Sequence, residues 1–148
     1  MTALVAVAAA VAGDRAAPPP KQRDAILSVM SRGRDALLAG KARRACSLLT
    51  HHGRLQALRF GDADFDDPPR TCRGVVRREW EEEHGPNGGL TWSGDLRNSR
   101  FRVARVKGRR ATVKLKVLEP YGPTVTFRLR KTEHGWRIHD SDAVPYGD

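Results

Sequence analysis

Two cysteines in 148 residues are too few for a structural zinc site built on four ligands. No glycine-rich phosphate loop, HExxH pair or serine nucleophile elbow occurs, so nucleotide hydrolysis, zinc peptidase and triad hydrolase chemistry lack their usual signatures. The longest apolar run, Ala3 to Ala12, is ten residues, against the roughly 20 that a helix needs to cross a bilayer. Aromatic residues are only 6% of the chain. None is interleaved among the basic positions of the later strands, which removes the stacking platform that single-stranded nucleic acid requires. Acids are also scarce, 17 Asp and Glu against 27 Lys and Arg, for a net charge of +10.

What remains is a soluble composition, 39% hydrophobic and 30% charged, long enough to enclose a single core. A basic surface attracts polyanions. Arginine outnumbers lysine 21 to 6, however, and alanine is abundant, as a GC-rich genome would also produce. The ten-residue apolar run has the length of a signal-peptide core, and Ala10-Val11-Ala12 before Gly13 has the form of a cleavage site. No base precedes that run, so either the true start lies upstream or the segment is no signal. Residues 1–20 therefore read as a signal-like segment with a stiff proline-rich spacer, and 21–148 as one domain.

Ile26, Val29, Met30, Gly33 and Leu37 recur at helical steps between Asp24 and a stop at Gly40. A short second helix carries Ala42, Ala45, Cys46 and Leu49. The stretch "HHGRLQALRF" is ambiguous between a turn and a short helical piece. Paired prolines can open a third long helix over about Arg70 to His84, with Cys72, Val75, Val76 and Trp80 inward. After "GPNGG" the period falls to two. Val113, Leu115 and Val117 face one way and Thr112, Lys114 and Lys116 the other, with Gly108 in a hairpin turn. Val125, Phe127 and Leu129 repeat the pattern against Arg128 and Arg130, and Trp136 and Ile138 continue it. Helices followed by an antiparallel meander, apolar on one face, make an α+β fold.

The helix ending in "AGKARRACSLLT", a third helix holding a cysteine and strands closing with "HGWRIHD" resemble the nuclear transport factor 2-like superfamily, and more closely its exported actinobacterial members. The resemblance covers about Lys21 to Asp142. It implies a cone-shaped α+β barrel: N-terminal helices in the concave face of a curved sheet, with a pocket at the wide end. Trp80, Val113, Leu115, Phe127, Leu129 and Trp136 would line that pocket. The superfamily spans isomerases, cyclases, dehydratases, transport adaptors and members without activity.

Cys46 and Cys72 each fit the role of an inert small hydrophobe. An even count and an export-like N-terminus favour a bridge between them instead. Continuing the strand alternation makes Asp140 the next inward side chain and the one candidate general base; a strand-end position equally suits a solvated carboxylate. His51-His52 lacks any metal-ligand spacing, and no metal or cofactor is expected. Lys114, Lys116, Arg128, Arg130 and Arg137 share the outward face, which reads as a platform for an acidic envelope polymer or as a solvated charged surface. Like charges opposed across that face disfavour a dimer through it, leaving a monomer. Export excludes nucleic acid as a partner and places the protein outside the cytoplasm, secreted or held by an uncleaved N-terminal segment. The reading is a binding or accessory domain for an apolar small molecule or an acidic polymer. The alternative is a cyclase-, isomerase- or dehydratase-like enzyme using Asp140.

Overall fold

The period-two segments form one antiparallel sheet in strand order β1-β2-β3-β4. Its strands are β1 (Ser99–Lys107), β2 (Arg110–Val117), β3 (Thr124–Thr132) and β4 (Gly135–Ser141). Before it, the described residues form α1 (Pro20–Leu38), α2 (Ala42–Ser47), α3 (His51–Asp64) and α4 (Cys72–His84). The computed structural model describes residues 17–86, 95–120 and 122–142. The apolar run and its cleavage-like motif lie outside these, as does most of the glycine-rich break before the sheet.

The α+β class stands, with the N-terminal helices on the inner face of a curved antiparallel sheet; among the described residues β1 and β4 each pair with one neighbouring strand, so the sheet is unclosed. Alternation decides its two faces. Val113, Leu115 and Val117 are buried while Lys114 and Lys116 between them are exposed. Onto the apolar face packs α1 through Ile26, Val29 and Met30, which join Ala111, Val113, Leu129 and Trp136 in the core. Burial of such side chains contributes about 1.5–3 kcal/mol each, the main stabilising term here.

The helix ends follow backbone chemistry. Gly40 is in the left-handed region at φ 64°, and the Lys41 amide returns to the Ala36 carbonyl at 2.8 Å, closing α1 with a six-to-one bond. A side chain at 40 would also strike the Trp80 ring, 2.9 Å from the position of its first carbon. α1 starts at Pro20 rather than near Asp24, since proline is tolerated in a first turn. α4 starts later than expected, at Cys72. The hydroxyl of Thr71 accepts from the Gly74 amide at 3.0 Å and caps the helix, so Pro68 and Pro69 stay outside it.

The ambiguous stretch is the largest correction to the helical reading, because it forms the 14-residue α3. Its packing positions are Gly53, Ala57 and Gly61, small residues four apart, and so the face it buries carries little hydrophobic signal. Small size permits close approach. Gly61 lies against Val75 of α4, and Gly53 against the backbone carbonyls of Ile138 and His139 in β4. Just before α3, Leu49 bridges Ile138 in parallel. The Thr50 amide donates to the Ile138 carbonyl at 2.8 Å and the Ile138 amide to the Leu48 carbonyl at 2.9 Å. The chain thereby covers part of an edge strand that would otherwise invite pairing.

Two irregularities bend the sheet. Register slips by one residue between Val103 and Arg105 in β1, and opposite Arg128 and Leu129 in β4. In β4 the extra residue is His139: Ile138 pairs with Leu129 and Asp140 with Arg128. A bulge of this kind reverses the parity of every later side chain.

Candidate functional site

A cavity of about 250 Å³ lies between the inner sheet face and helices α1, α2 and α3. Met30, Leu37, Leu49, Phe60, Phe101, Leu115, Phe127 and Ile138 give it an apolar wall, with the small residues Gly33, Gly53 and Ala57 also bordering it. Of the residues expected to line it, Leu115 and Phe127 do so. Val113, Leu129 and Trp136 lie deeper, in the packed core under α1. Trp80 is placed elsewhere: its indole N–H donates to the Leu38 carbonyl at 3.4 Å and its ring stacks on His84, fastening α4 to the end of α1.

Among the described residues the polar side chains on the wall are those of Arg34, Gln56 and Ser141. Asp140 is not among them. The β4 bulge turns its carboxylate to the outer face, where Oδ2 accepts from Arg128 Nη1 at 2.6 Å. Its other oxygen accepts from the Gln56 amide at 2.8 Å. Ser141 occupies the inward position that unbroken alternation assigns to Asp140. Gln56 is also spoken for: it donates to the Ser141 carbonyl at 2.8 Å and accepts from the Ser141 amide at 3.0 Å, pinning α3 to the end of β4.

The histidine pair resolves into a clamp. His52 stacks on His139 with ring centroids 4.6 Å apart, and His139 Nδ1 lies 3.0 Å from the Thr50 hydroxyl. Burial, with Arg130 and His52 adding like charge, holds the His139 pKa below its usual value, so the ring is neutral at pH 7. Among the described residues no three His, Cys, Asp or Glu side chains gather to hold a metal ion.

Cys46 of α2 and Cys72 of α4 are joined in a disulfide, with Cα atoms 6.1 Å apart. The closed loop contains all of α3, one wall of the cavity.

On the opposite face of the sheet, register shows what alternation alone left vague. Lys107 pairs with Arg110, Arg110 with Arg130, and Arg130 with Arg137, so four cations cross the four strands in one row. Lys114 and Lys116 sit beyond it, opposite Arg102 and Arg100. Arg128 belongs to a different environment because Asp140 neutralises it. Sequence reading found Arg130 and Arg137 but not Lys107 and Arg110; the hairpin around Gly108 would have yielded both had its register been followed to the turn.

No family model matches the chain, and no curated protein matches it. Two solved structures are similar in fold. One is provisionally assigned as an aromatic ring hydroxylase from Novosphingobium aromaticivorans, with 18% identity over 83% of this chain and 87% of that one and a TM-score of 0.45. The other is provisionally assigned as a dehydratase of the nuclear transport factor 2-like family from Streptomyces avermitilis, with 18% identity over 88% of this chain and 99% of that one and a TM-score of 0.44.

Proposed function

We propose that the protein binds a small apolar molecule in the cavity between α3, α1 and the sheet, acting as a carrier or accessory domain outside the cytoplasm. The observation that carries this reading is the wall itself: apolar side chains surround the space, and no carboxylate or imidazole among the described residues reaches it. Concave apolar sites with few polar groups are the usual form of small-molecule sites. The enzyme alternative has its base, Asp140, off the cavity wall, held in an ion pair with Arg128 and a hydrogen bond from Gln56. The Cys46–Cys72 bridge supports the compartment, since such bonds persist where the surroundings are oxidising.

Gly33 offers a clean test. A first side-chain carbon there would meet Ile138 Cδ1 at 3.5 Å and Leu48 Cδ1 at 3.9 Å, ordinary contact distances. Gly33→Ala should therefore raise stability by about 0.5–1 kcal/mol through helix propensity. Gly33→Met extends a flexible side chain into the cavity. Calorimetric titration with octanol should show saturable one-to-one binding to the wild type, weakened at least about tenfold, or about 1.4 kcal/mol, in Gly33→Met. Absence of saturable binding, or equal binding by the variant, rejects the site.

A second reading concerns the outer face and rests on the unbroken Lys107–Arg110–Arg130–Arg137 row. Adjacent strands are about 4.8 Å apart, so the row presents positive charge along about 14 Å, a track for an acidic envelope polymer. Two copies pressed together through this face would oppose like charges, which disfavours a dimer through it. Replacing Arg110, Arg130 and Arg137 with glutamine should weaken binding of linear polyphosphate at least about tenfold and flatten its salt dependence. Unchanged affinity and slope reject the track.

A further inference from the structure

We infer that the cavity selects apolar carboxylic acids, with Arg34 as the residue that recognises the acid group. The inference deepens the proposed binding function and rests on it. Among the described residues three polar side chains border the cavity, and they are not equivalent. Gln56 spends its amide on Asp140 and Ser141. Ser141 brings a neutral hydroxyl. Among the described residues lining it, Arg34 alone brings a charge, and it has two neighbours: Nε lies 3.3 Å from Asp35 Oδ1, and the guanidinium carbon stands 5.7 Å from the centre of the Phe101 ring.

Those contacts leave Nη1 and Nη2 without a protein acceptor among the described residues, while the Phe101 ring that supports the guanidinium is itself part of the apolar wall. Asp35 does not cancel the charge at the cavity, because its side chain is 67% exposed and Arg34's is 28%. An exposed ion pair of this sort is weak and exchangeable. The two terminal nitrogens of a guanidinium match the two oxygens of a carboxylate. A ligand with an apolar body in the cavity and a carboxylate at Arg34 would satisfy both surfaces at once. At about 250 Å³ the space is below the about 300–1,000 Å³ of drug-sized sites, which suits a medium-chain or single-ring acid.

The test compares octanoate with octanol, and cinnamate with cinnamyl alcohol, by calorimetric titration at pH 7.5. Wild type should bind each acid about tenfold more tightly than its alcohol, the scale of a charge-assisted hydrogen bond. Arg34→Gln should bring the acid down to the alcohol and leave the alcohol unchanged, and Arg34→Lys should retain part of the preference. Equal binding of acid and alcohol by the wild type overturns the inference while leaving the cavity reading intact. Preference surviving in Arg34→Gln overturns it as well, since the charge would then come from elsewhere. Failure of both acid and alcohol to bind removes the cavity reading itself.

Discussion

Gly53→Val lowers stability by about 3 kcal/mol and abolishes ligand uptake, because no room exists between α3 and the edge of β4. The first side-chain carbon would lie 2.8 Å from the Ile138 carbonyl oxygen and 3.4 Å from that of His139, with Leu49 Cβ at 3.3 Å. Two of these obstacles are backbone in a paired strand, which cannot rotate away as a side-chain tip can. Overpacking costs typically about 1–3 kcal/mol, and a branched residue against backbone falls at the upper end. Relief requires α3 to move off β4. That movement strains the Thr50–Ile138 and Gln56–Ser141 hydrogen bonds and opens the cavity wall. Thermal unfolding should show a fall of about 10 °C. Gly33→Ala, on the other side of the cavity, should show none. A Gly53→Val protein that melts with the wild type and still binds octanol would mean that α3 does not lie against β4 as described.

The second large effect belongs to the disulfide. With a sequence separation of 26, the bond closes a 27-residue loop that contains the whole of α3. Restriction of the unfolded chain by such a loop is worth about 3.5 kcal/mol in the chain-entropy account, a large share of a typical domain stability of about 5–15 kcal/mol. α3 brings few large buried side chains of its own; Gly53 and Gly61 are its buried residues. It therefore depends on the covalent tie more than α1 does. Cys46→Ala/Cys72→Ala, or reduction of the wild type, should lower the melting temperature by about 10 °C. Hydrogen exchange should accelerate first over His51–Asp64, while the sheet stays protected until global unfolding. Uniform exchange across α3 and the sheet after reduction would contradict this division of labour.

These two expectations also mark where the sequence was legible. Strand faces could be read from alternation, because a sheet covered on one side demands it: Val113, Leu115 and Val117 against Lys114 and Lys116 admit no other orientation. The stop at Gly40 was legible for a similarly local reason. α3 was not, because a helix that packs through glycine and alanine at four-residue spacing leaves no hydrophobic stripe. Its signal was the Thr50 cap three residues before Gly53, a pattern that only a search for caps would have raised.

The position of Asp140 was beyond any pattern argument. A single extra residue, His139, is accommodated because its ring is held by Thr50 and His52, residues some 90 positions earlier in the chain. That long-range contact sets the parity of the strand end and places Ser141 on the inner face, with Asp140 outside beside Arg128. Local periodicity carries no information about it. Arg34 was invisible for another reason: on a helical wheel it is one more solvated base beside the apolar stripe, and only the ring of Phe101 across the cavity mouth distinguishes it.

The central claim is that the space between α3 and the sheet is a ligand site. Methyl-resolved NMR of the full chain during titration with octanoate tests it most directly. The account predicts saturable shifts and ligand-to-protein nuclear Overhauser contacts at Met30, Leu37, Leu49, Leu115 and Ile138, with Val113 and Val117 contacts absent. Shifts scattered over the outer face, or none at saturating octanoate, would contradict it.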